Sequence, residues 1–313
     1  MRPAGTRVWQ ASRLLGTLSA LCFGVSGCNV DVLNSTGPVG LADSQILVDS
    51  VVIMLAIIVP TAIAIVGVGW WFRASNRSAR YDEHFVYSGR VELVIWSIPF
   101  LTVMLLGGVI WIGSHQLDPA APIASDKKPL NIQVVSLDWK WLFLYPDQRV
   151  ASVNELVAPV GVPLKLSLTS GSVMTVFFVP RLGSMIYTMN GMSDELNLQG
   201  DQVGEYRGEA AHFSGDGFPD MHFPVKIVSP GDFDGWVKQA TSAEPPFDDA
   251  AYLQLSKQSA DVPPQAHPLA DDRIYDKIVT QELPPGPGPE PMVRPTPYST
   301  PTATPMPQMQ RGG

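Results

Sequence analysis

Cysteine is almost absent from this chain of 313 residues: Cys22 and Cys28 are the two it has, both near the N-terminus. The rest of the chain is without thiols. That excludes a disulfide framework, and any thiolate-built metal site, downstream of residue 28. Charge is scarce as well, at 16% against 45% hydrophobic residues, a lopsided balance for a soluble protein of this size. The net charge of −8 offers no basic field, so no nucleic-acid partner is expected.

What the chain does have begins with Arg2, Arg7 and Arg13 and no acid, followed by a short apolar run from Leu14 to Val25. A basic start, a run too short to span and small residues before a break describe a secretory signal, here residues 1–27. Val25-Ser26-Gly27-Cys28 also resembles the bacterial lipobox, which implies lipidation at Cys28 and an outer segment over 28–45.

Two long charge-poor runs follow. Ser50 to Phe72 holds no charged residue, and at about 1.5 Å per residue its length crosses a hydrocarbon core of roughly 30 Å. Leu93 to Leu117 repeats the pattern. The expected spans are 46–72 and 91–115, joined by a loop over 73–90. That loop carries Arg73, Arg77, Arg80 and Arg90 against Asp82 and Glu83, so it is expected on the cytoplasmic side. The segment beyond residue 117 then lies in the periplasm, in agreement with a lipidated outer N-terminus. Pro60 and Pro99 fall inside the runs. Glu92 stands at the cytoplasmic mouth of the second. It is either a wet boundary residue or a proton-entry carboxylate facing a partner.

From Leu130 the pattern becomes short β-rich runs separated by Pro, Gly, Asp and Ser, which predicts a β-sandwich or barrel over 125–230. Short helices are expected within 231–282, over Gly231–Ala240, Phe247–Ser259 and, more weakly, Asp271–Glu282. Ten of the last thirty residues are proline. The segment 283–313 is therefore expected to be a disordered, extended tail. Trp139 and Trp141, two apart in an aromatic strand, are expected to share one face and to serve packing.

A lipoprotein signal, a two-helix hairpin and a periplasmic β domain, in that order, resemble subunit II of bacterial haem-copper oxidases. Val91-Glu92 with Trp96 and Pro99 is similar to the start of the family's second helix. Leu137-Asp138-Trp139-Lys140-Trp141 is similar to the strand that opens its cupredoxin domain. Phe177-Phe178-Val179-Pro180-Arg181-Leu182-Gly183 is similar to the strand before its copper loop. Gly204-Glu205-Tyr206 with Gly208 begins that loop and Met221 ends it. The match covers roughly residues 15 to 260, and within the family it is closest to the quinol oxidase branch of cytochrome bo type. The implied class is a membrane-anchored α + β protein: a transmembrane hairpin followed by a cupredoxin-like Greek-key β-sandwich, held at the bacterial inner membrane.

The resemblance also implies where a dinuclear copper centre lies in the cytochrome c branch. Aligned on the motif, its cysteines fall at Ala210 and Ser214 and its glutamate at His212. Its histidines fall at Thr175 and Phe218, and Met221 alone is kept. A lone thioether holds no such centre. Met221 and His222 are adjacent and face opposite ways on a strand, so with His212 they are not expected to form another site. The implied function is a copper-less subunit II of a complex that oxidises ubiquinol and reduces O₂ to water with proton pumping. It carries no cofactor or catalytic residue of its own. Haems and copper belong to a large subunit I, and smaller membrane subunits and the lipid bilayer complete its partners. The alternative is a membrane-anchored scaffold or assembly lipoprotein without a resident oxidase.

Overall fold

The computed structural model describes residues 31–80 and 82–286; the signal, Cys28 and the tail beyond residue 286 lie outside the described residues. Two long helices come first, α1 (Pro38–Trp71) and α2 (Gly89–Gln116). Both are long and apolar enough to cross a bilayer. α1 begins before the expected residue 46. The reason is local: Pro38 supplies a pre-set first helical position, and the entry docks on the β domain. Thr36 N–H donates to Arg181 O at 2.9 Å and Gly40 N–H to Leu182 O at 3.1 Å. A side chain at residue 37 would run into Gln199 O, so only glycine allows this approach.

The two helices touch along one stripe. Past its first two turns, Ile46, Ser50, Ile53 and Ile57 are the partly covered positions of α1, at helical spacing; Thr102, Leu106, Val109 and Gly113 are their counterparts on α2. Closest approach is at Gly113, where an added Cβ would lie 2.8 Å from the end of Ile46.

The β domain has eleven strands: β1 (Leu130–Leu137), β2 (Lys140–Tyr145), β3 (Val150–Val153), β4 (Leu156–Pro159), β5 (Pro163–Ser170), β6 (Thr175–Phe178), β7 (Ile186–Thr188), β8 (Asp194–Gln199), β9 (Gly204–Ala210), β10 (His222–Val228) and β11 (Gln265–Pro268). They form two sheets, in the orders β11-β3-β2-β1-β5-β8 and β4-β10-β9-β6-β7. β1 pairs with β5, and β4 with β10, in parallel; the other ladders are antiparallel. The expected class, a hairpin followed by a β-sandwich, is the one observed.

The first sheet is covered on both faces along β1, β2 and β3. Leu130, Ile132 and Val134 of β1, with Trp141, Phe143 and Tyr145 of β2, point into the sandwich core. The alternate residues Val135, Leu137, Leu142 and Leu144 enter a second core. This is why Lys140–Tyr145 reads as an unbroken apolar run after its lysine: both faces are covered, so polar alternation is lost.

The second core is roofed by the C-terminal segment, and here the sequence expectations need correction. α3 (Pro230–Thr241), α4 (Asp249–Leu255) and α5 (Ile274–Val279) fall within the three expected helical stretches or a residue beyond them. Ser229 and Asp248 cap the first two by accepting Asp232 and Ala251 N–H. Phe247, Tyr252, Leu269, Ile274, Tyr275, Ile278 and Leu283 all pack in the second core. β11, flanked by prolines, was not expected as a strand, yet it joins the first sheet beside β3. The segment expected to be a tail from residue 283 starts as packed chain. Leu283 is buried, and Gly286 N–H donates to Gly171 O at 2.6 Å.

Lys140 fastens this roof. Its ammonium is fully buried and donates to Lys257 O at 2.7 Å, Ser259 Oγ at 2.8 Å and Asp138 O at 3.1 Å. Desolvation lowers its pKa to about 8, against the favourable charge of Asp138. Burial raises Tyr252 and Tyr275 to about 12. Folding therefore expels a proton from Lys140 between its folded and unfolded pKa values, whereas the two tyrosines hold theirs more tightly than the unfolded chain does. Stability measured by denaturant titration is expected to rise from pH 8 toward pH 10 and to fall above it. In Lys140→Met the rise is expected to disappear and the fall to stay.

Candidate functional site

The loop joining β9 to β10, residues 211–221, packs against the β1–β2 turn at one end of the sandwich. Strand geometry sets its two ends. Ala210 closes β9 opposite Phe177, and its N–H donates to Met221 O at 3.0 Å, so both loop ends are tied by one backbone bond. Ala211 N–H adds a bond to Val176 O at 3.1 Å. Inside, a short 3₁₀ turn over Phe218–Asp220 folds the chain back, and Met221 N–H donates to Phe218 O at 3.1 Å.

The structure brings the six aligned positions together. Thr175 is buried on β6 and its hydroxyl donates to His212 O at 3.1 Å. Ser214 is buried, its hydroxyl directed at Met221 Sδ, 3.7 Å away. Met221 is 2% exposed and belongs to the sandwich core, with Phe218 packed against that core. The His212 ring meets Tyr187 edge to face at 5.9 Å, and its Nδ1 is enclosed without a hydrogen-bond partner. His222 lies exposed at the start of β10, on the face opposite to Met221.

The β1–β2 turn holds the loop from outside. Leu137 pairs with Lys140, so Asp138 and Trp139 form a two-residue turn, and Trp139 takes a positive φ of 64°. Trp139 and Trp141 thus do not share a face as expected, because the strand ends at residue 137. Trp141 fills the sandwich core between Phe177 and Phe223. Trp139 instead lies over the loop: its Nε1 donates to Ser214 O at 3.1 Å, and a Cβ at Gly217 would strike its ring. Reading the residues in sequence missed this lock, as it missed the roof contacts of Lys140. Nothing local marks a tryptophan that folds over a loop more than seventy residues away. Asp138 is buried too, and its Oδ1 accepts from Ser172 Oγ.

A thiolate-bridged dinuclear copper centre needs soft sulfur donors and imidazoles converging on two ions. The assembled positions offer a methyl, two hydroxyls already in contact with other groups, a phenyl ring, one thioether, and the carbonyl and one imidazole of His212. This donor set does not fit such a centre. Among the described residues, no group of three or more His, Cys, Asp or Glu side chains is placed to hold a metal.

Glu92 is far from this loop. It lies in the first turn of α2, where its N–H donates to Ser88 O at 3.0 Å. It is partly covered, while Val91 and Leu93 to Trp96 are exposed.

No family model matches the chain. It is 41% identical over 252 residues to ubiquinol oxidase subunit 2 of Acetobacter aceti, a match covering 80% of this chain and 81% of that one. It is 36% identical over 271 residues to cytochrome bo(3) ubiquinol oxidase subunit 2 of Pseudomonas aeruginosa, covering 87% and 81%. Quinol oxidase subunit 2 of Bacillus cereus is 34% identical over 252 residues, covering 80% and 86%. Among solved structures, the periplasmic domain of cytochrome oxidase subunit II of Bradyrhizobium japonicum is 23% identical with a TM-score of 0.35, covering 38% of this chain and 96% of that one.

The lock on the loop is testable. Gly217→Ala forces a methyl into the Trp139 ring and is expected to cost about 1–3 kcal/mol of stability by overpacking. Trp139→Phe leaves Ser214 O without its donor, at about 1–2 kcal/mol. Thermal unfolding of the detergent-purified chain, followed by near-ultraviolet circular dichroism, measures both. Unchanged melting in both variants would show the loop to be held by other contacts.

Proposed function

The chain belongs to the ubiquinol oxidase subunit 2 family, and from that premise we propose that it serves its complex without carrying electrons. The complex oxidises ubiquinol and reduces O₂ to water with proton pumping. Its haems and copper sit in a large partner subunit, and electrons pass from quinol to that subunit without entering the β domain. The observation that carries this reading is the loop between Ala210 and Met221. Its backbone is closed and packed, yet the positions that bear thiolates in copper-holding relatives bear a methyl and a hydroxyl. In place of electron transfer, this chain contributes a rigid periplasmic cap, joined to the hairpin through the contacts of Thr36 and Gly40, and two membrane helices against which the partner assembles.

Two residues extend the proposal. Cys28 carries the lipid that anchors the N-terminus at the outer face of the inner membrane. Glu92 passes protons toward the large subunit. A carboxylate on the partly covered face of α2, at the depth of the cytoplasmic boundary, can stay hydrated on one side while meeting a partner on the other.

The chain loaded with excess copper under reducing and then oxidising conditions is expected to show no purple absorption and no mixed-valence electron paramagnetic resonance signal. A stable purple species would overturn the electron-free reading. Glu92→Gln is expected to lower quinol-dependent oxygen uptake by tenfold or more, on the scale of a lost proton-transfer group. Haem content and assembly should stay intact. Full turnover in this variant would reduce Glu92 to a boundary residue.

A further inference from the structure

Arg73, Arg77 and Arg80 follow α1, and Arg90 opens α2, against Asp82 and Glu83 between them. The two acids do not answer the arginines. The Asp82 carboxylate accepts His84 N–H at 3.2 Å, which closes its own turn, and Glu83 reaches the His84 ring at 3.6 Å. Arg73 is engaged at the helix end: its Nη1 donates to Trp70 O at 2.9 Å, its Nε donates to Ser75 Oγ at 3.0 Å, and its guanidinium lies 4.5 Å above the Trp70 ring. Asn76 Nδ2 donates to Trp71 O at 2.6 Å, so the last carbonyls of α1 do not draw in the other arginines. Arg77, Arg80 and Arg90 are exposed, and among the described residues none of them has an ion-pair partner.

The same end of the hairpin exposes apolar surface. Phe85 and Tyr87 are exposed just before α2, with Val86 between them 90% exposed, and Trp70, Trp71 and Phe72 are exposed at the end of α1. The β domain does not cover them, because it meets α1 at the other end, through Thr36 and Gly40. Bare cations beside bare aromatic rings, at the joined ends of two helices of bilayer length, match the layered border of a membrane. Aromatic rings settle at headgroup depth. A guanidinium presents paired N–H donors that fit the oxygens of a phosphate. A zwitterionic headgroup brings its own cation and cancels much of that attraction, whereas an anionic one does not.

We infer that this end of the hairpin is a binding surface for anionic phospholipid. Arg77, Arg80 and Arg90 hold the headgroup phosphates, and Phe85, Val86 and Tyr87 enter the adjoining acyl boundary. The inference rests on the reading that α1 and α2 cross the bilayer. A basic residue at a membrane surface favours anionic lipid by about fivefold. Asp82, Glu83 and Glu92 oppose the arginines from the same end of the hairpin, so the net preference is smaller than three such factors multiplied.

The test uses the full chain without partner subunits, in nanodiscs of equal phosphatidylglycerol and phosphatidylcholine, and counts the lipids it retains by native mass spectrometry. Phosphatidylglycerol is expected to be retained over phosphatidylcholine by about tenfold or more. The variant combining Arg77→Gln, Arg80→Gln and Arg90→Gln is expected to bring the two lipids close to equality. The same three positions changed to lysine are expected to keep the preference. Equal retention by the unchanged chain overturns the inference and leaves the arginines to a protein partner. Full preference in the glutamine variant overturns it too, since the lipid then sits elsewhere, as does loss in the lysine variant, since charge is then not the cause. Alkaline extraction from pure phosphatidylcholine vesicles is measured beside it. Release of the chain there would strike the membrane-spanning reading, whereas lost selectivity in a chain that stays embedded strikes this inference alone.

Discussion

The burial of β1, β2 and β3 on both faces is the constraint from which the rest of the domain follows. A sheet with one solvated face can stand with half its side chains polar. This one cannot, because Val135, Leu137, Leu142 and Leu144 would face water if the segment after residue 244 were removed. Burying a side chain of that size is worth roughly 1.5–3 kcal/mol. The C-terminal roof is therefore part of the fold and no appendage. Its fastening through Lys140 is costly by itself, since a buried ammonium loses its hydration. The three oxygens around it offset that loss only while the roof is closed, which makes the contact specific for one arrangement of Lys257 and Ser259.

The same strands position the loop between Ala210 and Met221. Trp141 and Phe143 of β2 pack with Phe177 and Phe223, fixing the distance between the sheets where β6, β9 and β10 converge. In a copper-holding relative, coordination bonds would draw the ends and middle of such a loop together. Here the closure is distributed over weaker contacts: Ala210 with Met221, Thr175 with His212, Trp139 with Ser214. Each hydrogen bond contributes on the order of 1 kcal/mol net, and Met221 and Phe218 add buried apolar surface. A sum of this kind suffices to hold eleven residues between two paired strands.

How much of this could be read in the sequence varies with the range of the interaction. The two helices were legible, because a charge-free run of that length has few other homes. Their start was not, because α1 begins where Gly37 and Pro38 dock on a loop formed some 140 residues later. The six positions aligned through the resemblance come from β6, β9 and the loop that follows it, and these elements meet at one end of the sandwich. The roof was not legible. Its buried apolar residues, from Phe247 to Leu283, follow neither a period of two nor one of 3.6 over any length, since α4 contributes one of them, α5 three and the connecting loops the other three. β11 has prolines at Pro264 and Pro268, a composition that argues against a strand unless it lies at a sheet edge. Trp139 and Trp141 show the same limit at the smallest scale. Two residues apart on a strand share a face, but a turn at Asp138 removes one of them from the strand.

The hairpin divides along its length in a way that bears on how the chain serves a complex. Near the β domain, Ile46 to Ile57 of α1 lie against α2, and Gly113 lets the backbones approach. Toward the end joined to the interhelical loop, every residue from Ile58 to Trp71 of α1 is exposed in the isolated chain. Lipid satisfies such a surface as well as protein does, so apolarity alone does not call for a partner. Glu92 changes the argument. It sits in the first turn of α2 at that open end, where a carboxylate turned to lipid is expensive and one turned to a polar cleft is not. In the assembly proposed above, the open end keeps this ionisable side chain available to a partner subunit.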